Sequence, residues 1–548
     1  MSSFLWPMIA VGLFIIFRIS VHSMGDGYLR DIEIRAGKLY YATEMLDFFI
    51  HATLYKFITL FGKFRPTVAM AATSIVAGVV FVYILFRNVT FEGWKRYLFI
   101  GFVLSLGCSQ FFFGYAESYT LVYLFSVWYL LSVFRESFDD ISFGVVIPIY
   151  LLAGFSHQLG VILLPSFLYL AYLKFNDHSR RLIIYSAVAV TALLPLLIPR
   201  ILNQYFDADE IIILTDSFLP LWDSSYGIFT PNHLFDLINE FLLVAPAFLL
   251  LLPFMPLVWK SSRRRIIMAA TIVLPSFLFI LVFDPKLTMV RDWDLFSVPM
   301  ALGVIPLAVL IFEPLDNNLT APPKALIGAV LVSMVVLSSW LFLNHNAEAH
   351  LKRAEYFLDR AERNQSWGYE VLAKYYEHER DYTNELRILD KINPADRKAR
   401  MYGNVAQSLY SMGRYDEAYE AAMEGMELPN PVQKNFMAAG ITSIYKKEFD
   451  QAARFLLKAV QLTPNDPEKL NYLGAALSQG GHPDEAIEVF QKAIALNRNF
   501  SDAYFGLAFA YNSKQEKEIA LQYCRRGLEL APGSSIGKAL MRQISEGK

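Results

Sequence analysis

The side chains best suited to chemistry stand in four short polar clusters set among long apolar runs. The first is Gly25-Asp26-Gly27-Tyr28-Leu29-Arg30-Asp31-Ile32-Glu33, with Arg35 close behind. The second is Glu117 in Gly114-Tyr115-Ala116-Glu117-Ser118-Tyr119, and the third is His157 in Ser156-His157-Gln158. Asp284-Pro285-Lys286 and Arg291-Asp292-Trp293-Asp294 form the fourth. A carboxylate beside a hydroxyl acts as general base, while Arg or Lys holds a phosphate whose charge develops as it leaves. Together these residue types suit transfer of a group from a lipid-linked phosphate to a hydroxyl. Asp26 and Glu117 are the catalytic candidates, with Asp26 as the base because its flanking glycines let a substrate approach closely. Arg291 and Lys286 are the expected phosphate ligands, with Arg30 and Arg35 as alternates. Asp31, Glu33, His157, Asp292 and Asp294 complete the candidate set. Each cluster has a plainer reading beside the chemical one. Asp26 could cap a turn, Glu117 could join two helices, His157 could bridge helices by hydrogen bonds, and Arg291 to Asp294 could anchor at a membrane interface.

The elements that must position these residues are membrane helices. The 548 residues are 55% apolar and 18% charged, which is too hydrophobic for a wholly soluble chain. Runs long enough to cross ~30 Å of hydrocarbon recur about eleven times, near 4–22, 66–86, 97–114, 118–134, 142–156, 158–175, 182–202, 238–259, 266–283, 296–312 and 324–344. The N-terminus has no basic region before its apolar run, so the first run reads as a retained span. Arg87, Lys95, Arg96, Arg135, Lys174, Arg180, Arg181, Lys260 and Arg263 to Arg265 all follow even-numbered spans, which places them and the N-terminus in the cytoplasm. Arg263 to Arg265 read as a determinant of topology alone. Residues 40–61, interrupted by Asp47, His51 and Lys56, suit a helix lying in the interface. With this topology all four polar clusters fall at one membrane face. Ionisable groups at that depth are costly unless they face a cavity or a partner.

Beyond Trp340 the chain becomes charged and repeats every 34 residues. Tyr402, Phe436, Leu470 and Tyr504 share one register. Ala406, Gly440, Gly474 and Ala508 share a second, and Ala418, Ala452, Ala486 and Ala520 a third. This is the tetratricopeptide (TPR) pattern, with regular repeats at about 399–532, an irregular first repeat at about 365–398 and a capping helix at Ser534–Ser545. The fold class is therefore all-α: a polytopic membrane domain over 1–345, then a TPR solenoid over 346–548. With about eleven spans the solenoid lies outside the cytoplasm. The formal net charge of −2 argues for no nucleic acid, and Cys108 and Cys524 are too few for a disulfide framework.

This layout resembles the GT-C glycosyltransferases: an acidic Gly25-Asp26-Gly27 motif in the first outer loop, Glu117 at the outer end of the third span, and an extracytoplasmic TPR tail. Within that superfamily it is similar to the transmembrane TPR O-mannosyltransferases, although protein mannosyltransferases commonly carry an adjacent acid pair where this chain has Gly-Asp-Gly. The resemblance implies an inverting transfer from a polyprenyl-phosphate sugar, with Asp26 as base, to a protein or glycan acceptor. The TPR tail is the expected acceptor-recruiting surface. No cofactor is called for, and no metal ligand set has clean spacing, though a divalent metal stays open. Compact loops and scarce cysteine point to a bacterial inner membrane with the TPR domain in the periplasm. Two rivals remain: a glycan ligase of the O-antigen ligase kind, and a membrane-anchored TPR scaffold without enzymatic activity.

Overall fold

Among the described residues the regular segments are helices, as the long apolar runs and the 34-residue period require. The computed structural model describes residues 2–19, 27–35, 37–39, 44–135, 141–174, 185, 219–220, 227–283, 293–315, 323–360 and 365–546. The chain divides into two compact units, Met1–Asn364 and Gln365–Lys548.

The first unit contains α1 (Ser2–Ile16), α2 (Gly27–Arg35), α3 (Met45–Ile58), α4 (Pro66–Asn88), α5 (Gly93–Leu104), α6 (Tyr119–Val133), α7 (Phe143–Ser156), α8 (Leu164–Lys174), α9 (Pro231–Val244), α10 (Pro246–Leu251), α11 (Arg263–Val282), α12 (Trp293–Phe312), α13 (Lys324–His345) and α14 (Ala347–Leu358). Four of these, α4, α11, α12 and α13, are long and apolar enough to cross a membrane. The bent pair beginning at α9 would make a fifth. Apart from Tyr185, the expected run 182–202 lies outside the described residues.

Polar contacts sort the helix ends into two groups. Arg265 donates to the Phe134 and Arg135 carbonyls at the end of α6 and pairs with Glu313 after α12. Lys95 bonds the Glu313 and Leu315 carbonyls, Arg96 the Phe86 carbonyl, and Lys174 the Ile141 carbonyl. Most of these cations therefore meet the negative ends of helix dipoles, where a positive charge is favourable. Arg265 is thus a buried structural tie, which corrects its reading as a determinant of topology alone. At the opposite end lie Glu117, the start of α6, the end of α7 and the start of α12. Consecutive helices shuttle between these ends. α1 runs toward the Glu117 end, where the Ile19 N–H reaches the Phe113 carbonyl, and α4 returns.

Two runs that look continuous in sequence are broken. α5 stops at Ser105 and resumes as a 3-10 turn, Gly107–Phe112. The second apolar run of this kind turns by 93° at Ala245, ahead of Pro246. The breaks touch: a Cβ on Gly107 would lie 2.9 Å from the Val244 Cα and 3.0 Å from the Leu243 carbonyl oxygen. Ser333 on α13 accepts the Ala247 N–H and so satisfies one donor that the break frees. Irregular backbone inside an apolar unit persists only where protein groups re-satisfy it in this way.

In the second unit α15 (Gln365–Glu379) and α16 (Tyr382–Asp390) precede four helix pairs. These are α17 (Ala399–Ser411) with α18 (Tyr415–Glu427), α19 (Gln433–Tyr445) with α20 (Phe449–Leu462), α21 (Pro467–Gln479) with α22 (Pro483–Leu496), and α23 (Ser501–Ser513) with α24 (Lys517–Leu530); α25 (Ser535–Glu546) closes the series. The 34-residue register has a direct steric cause. Ala418, Ala452, Ala486 and Ala520 are fully buried where helices pack. A Cβ on Gly440 would stand 2.5 Å from Leu456, and one on Gly474 would stand 2.7 Å from the Phe490 ring. Phe490 thus fits only because the repeat keeps a glycine opposite it, and its burial contributes about 1.5–3 kcal/mol.

Candidate functional site

Helix α2 brings the first polar cluster to the Glu117 end. Arg30 is buried and pairs with Glu33 at 3.0 Å and with Glu44, the residue before α3, at 2.5 Å. Asp31 pairs with Arg35 at 2.8 Å and accepts the Thr67 N–H at the start of α4, a favourable place for a carboxylate. Glu33 also holds Lys38. One turn into α3, Asp47 and His51 are buried 3.3 Å apart. Helix α3 covers Met45–Ile58 of the stretch expected to lie in the interface, with Asp47 and His51 turned inward and Phe57 outward.

The second cluster is shaped by Gly114. Its φ of +77° and the Arg18 side chain, 2.4 Å from where a Cβ would stand, leave room for glycine alone. Ser74 accepts the Gly114 N–H and donates to the Phe111 carbonyl, which fixes the chain entering α6. Glu117 is 3% exposed. The Tyr115 hydroxyl donates to Asp294 Oδ2 at 2.7 Å, so the second and fourth clusters meet directly. Tyr115 lies within electrostatic reach of Glu117 and Tyr119 as well. Trp293 stacks on Phe111 with ring centroids 5.3 Å apart, fixing the start of α12.

His157 joins the same group. Its ring lies 4.9 Å from that of Tyr119, and it is within electrostatic reach of Arg30. His157 Nδ1 accepts the Leu159 N–H at 3.1 Å, so the proton of the neutral ring sits on Nε2. Arg30, Glu117, His157 and Asp294 therefore come together from four clusters distant in sequence. Asp31, Glu33 and Arg35 lie on the same short helix as Arg30. Asp26, Lys286, Arg291 and Asp292 lie outside the described residues. Glu44, Tyr115, Tyr119 and the Asp47–His51 pair were not singled out from sequence as site residues. The tyrosines flank Glu117 closely enough to have been found. Glu44 carries no local signal, because its role depends on α2 folding back against α3. Among the described residues no group of three His, Cys, Asp or Glu side chains could hold a metal ion.

The TPR unit carries its own polar cluster where α15, α16, α17 and α19 meet. Arg400 forks onto Glu370 at 2.5 and 2.7 Å, and Lys434 reaches Glu377 at 2.6 Å and Asn404 at 2.8 Å. Lys374 also holds Glu377, and Ser408 donates to Glu385 at 2.6 Å. Burial raises the Glu385 carboxyl to about 7, the Ser408 hydrogen bond only partly opposing it. Burial also acts on Glu377, but Lys434 and Lys374 overcome it and hold that carboxyl at about 2. The raised group stabilises the fold fully below its unfolded value, and this contribution is lost as pH rises through 7. The depressed group contributes above its unfolded value and loses this as pH falls toward 2. From these two groups the stability contribution is greatest near about pH 5. Denaturant unfolding of the full chain is expected to show the TPR transition weakening by on the order of 3 kcal/mol between pH 5 and 8. Glu385→Gln should flatten this slope, and an unchanged slope in the variant would assign it to another group.

Residues 399–430 and 476–544 match tetratricopeptide repeat families. The chain is similar to the protein O-mannosyl-transferase TMTC1 of Homo sapiens, 28% identical over 210 residues that cover 37% of this chain and 23% of that protein. It is 30% identical over 101 residues to small glutamine-rich tetratricopeptide repeat-containing protein 2 of Mycosarcoma maydis, covering 18% of this chain and 29% of that one. Intraflagellar transport protein 70A of Xenopus laevis is 27% identical over 178 residues, 31% of this chain and 26% of that protein. The chain therefore spans less than a third of the length of each of these relatives. Among solved structures, YrrB, a TPR protein with an unusual peptide-binding site, is 21% identical with a TM-score of 0.31, covering 34% of this chain and 99% of that one. MamA is 21% identical with a TM-score of 0.27, covering 29% of this chain and 93% of that one. The chain is thus a helical protein with TPR repeats, several membrane-length apolar helices and weak similarity to a mannosyltransferase.

Proposed function

We propose that the protein is an integral membrane glycosyltransferase that moves a sugar from a polyprenyl phosphate to a protein or glycan acceptor, with inversion. Asp26 takes the acceptor hydroxyl proton, and the oxygen forms its bond to the anomeric carbon from the face opposite the phosphate. The bond from that carbon to the phosphate oxygen breaks, and the polyprenyl phosphate leaves with the electron pair. Lys286 and Arg291 hold the departing phosphate. Arg30 and Arg35, already held by carboxylates, would trade those partners to take part. Glu117 orients the acceptor from the start of α6. No cofactor is assigned. The observation that carries this reading is the meeting of Arg30, Glu117, His157 and Asp294 at one end of an apolar helical unit. The partial similarity to TMTC1 is consistent with it.

In this reading about eleven spans cross the membrane, the N-terminus is cytoplasmic, and the TPR domain lies outside the cytoplasm, in the periplasm of a bacterial cell. The domains divide as 1–345 and 346–548. The TPR groove presents the acceptor, as such concave surfaces commonly bind peptides.

The test is transfer of labelled sugar from a panel of polyprenyl-phosphate sugars into envelope protein and glycan. Membranes bearing the native chain are compared with Asp26→Asn and Glu117→Gln at equal expression. Asp26→Asn is expected to lose transfer by roughly a hundredfold or more, in line with removal of a general base. Full activity in Asp26→Asn would remove it from the mechanism. Absence of transfer from every donor by the native chain would favour the rival readings, a glycan ligase of the O-antigen ligase kind or a membrane-anchored TPR scaffold.

A further inference from the structure

The cations at the Arg265 end of the first unit fall into two sets. Arg265, Lys95, Arg96 and Lys174 are used within the protein, each bonding a backbone carbonyl. Lys260, Arg263 and Arg264 are exposed, and among the described residues no carboxylate pairs with them. Three aromatic side chains accompany them. Trp259 is 78% exposed, and Tyr169 stacks with the exposed Tyr172 and lies within electrostatic reach of Arg263 and Arg264. Arginines in the first turn of α11 also stand at the positive end of its dipole, with no acidic residue in that turn. That placement is unfavourable unless an external anion offsets it.

We propose that Lys260, Arg263 and Arg264, with Trp259, Tyr169 and Tyr172, form a surface for the headgroups of anionic phospholipids. Amphipathic rings of Trp and Tyr prefer the headgroup level, which keeps the neighbouring cations at the depth of the lipid phosphates. The apolar flank continues into exposed Leu274 and Leu278 on α11, which suits acyl chains. A soluble acidic partner would have no use for that flank. The proposal rests on the unit lying in a membrane, but not on sugar transfer.

The test titrates phosphatidylglycerol into the detergent-solubilised full-length protein, with phosphatidylcholine and inorganic phosphate as parallel arms. Lipid retention is read by native mass spectrometry and stability by thermal unfolding. Phosphatidylglycerol is expected to be retained over phosphatidylcholine and to raise the melting temperature. The triple variant Lys260→Gln/Arg263→Gln/Arg264→Gln should weaken that retention by roughly a hundredfold, at about a factor of five per cation near an anionic headgroup. Its melting temperature without added lipid should match the native chain, since among the described residues none of the three side chains has a bonding partner. The triple variant Lys492→Gln/Arg498→Gln/Arg525→Gln, at exposed cations of the TPR unit, controls for net charge. Equal retention of the two lipids, or undiminished phosphatidylglycerol retention by the triple variant, would overturn the proposal. So would an equal stabilisation by inorganic phosphate, which would make the surface a simple anion site.

Discussion

Replacing Arg30 with Ala is expected to destabilise the first unit by about 3–5 kcal/mol, because it breaks a buried ion pair. Glu44 pairs with Arg30 at 2.5 Å and is itself almost wholly buried, and Glu33, the other partner of Arg30, also holds Lys38 at 2.9 Å. The single variant alone would not separate structure from chemistry. The double variant Arg30→Met/Glu44→Leu removes both charges, and exchange of a buried pair for apolar groups of similar volume is often neutral in stability. Thermal unfolding of the double variant is therefore expected to return close to the native value while sugar transfer stays low. Recovery of both would make the pair a structural tie between α2 and α3 and nothing more. Recovery of stability alone would place the Arg30–Glu44 pair among the groups that substrate needs.

The TPR unit was legible in the sequence because its packing is periodic and local. Gly440 faces Leu456 and Gly474 faces Phe490, while the alanines of the register are fully buried, so steric need is written directly into residue type. The apolar runs were legible as helices for the same reason of composition. Their breaks were not. Nothing in the residues around Ser105 distinguishes a continuous helix from α5 followed by a 3-10 turn, since both bury the same apolar side chains. At Ala245 the following Pro246 was the available signal, because the residue before proline is pushed out of helical conformation.

The four polar clusters were legible because charge in apolar surroundings is conspicuous. Their partners were harder to see. Glu44 and Asp47 stand within a stretch that reads as amphipathic, and burial against neighbouring helices turns them inward. Tyr115 stands beside Glu117 in sequence, but its acceptor, Asp294, is distant and is supplied only by the fold. The basic triplet shows the same limit in its sharpest form: sequence treats Arg263, Arg264 and Arg265 alike, and helical rotation separates them.

That separation predicts opposite outcomes for adjacent substitutions. Arg265→Ala is expected to cost about 2–3 kcal/mol, the range for losing charge-assisted hydrogen bonds, since Glu313 is partly exposed and regains water. Its guanidinium joins Glu313 at 2.5 Å to the Phe134 carbonyl at 3.0 Å and the Arg135 carbonyl, tying the ends of α6 and α12 to the start of α11. Arg265→Lys should recover only part of the loss, because a single ammonium cannot span acceptors on two helices as a planar fork does. Arg264→Ala, one residue away and exposed, should stay within about 0.5 kcal/mol in neutral detergent. Thermal unfolding of the three variants in one detergent decides the matter. Equal losses for Arg264→Ala and Arg265→Ala would mean that net charge at this end, rather than the Arg265 tie, sets stability. A large loss confined to position 265 would mean that one arginine of the triplet holds the helix ends together while its neighbours remain available to the surroundings.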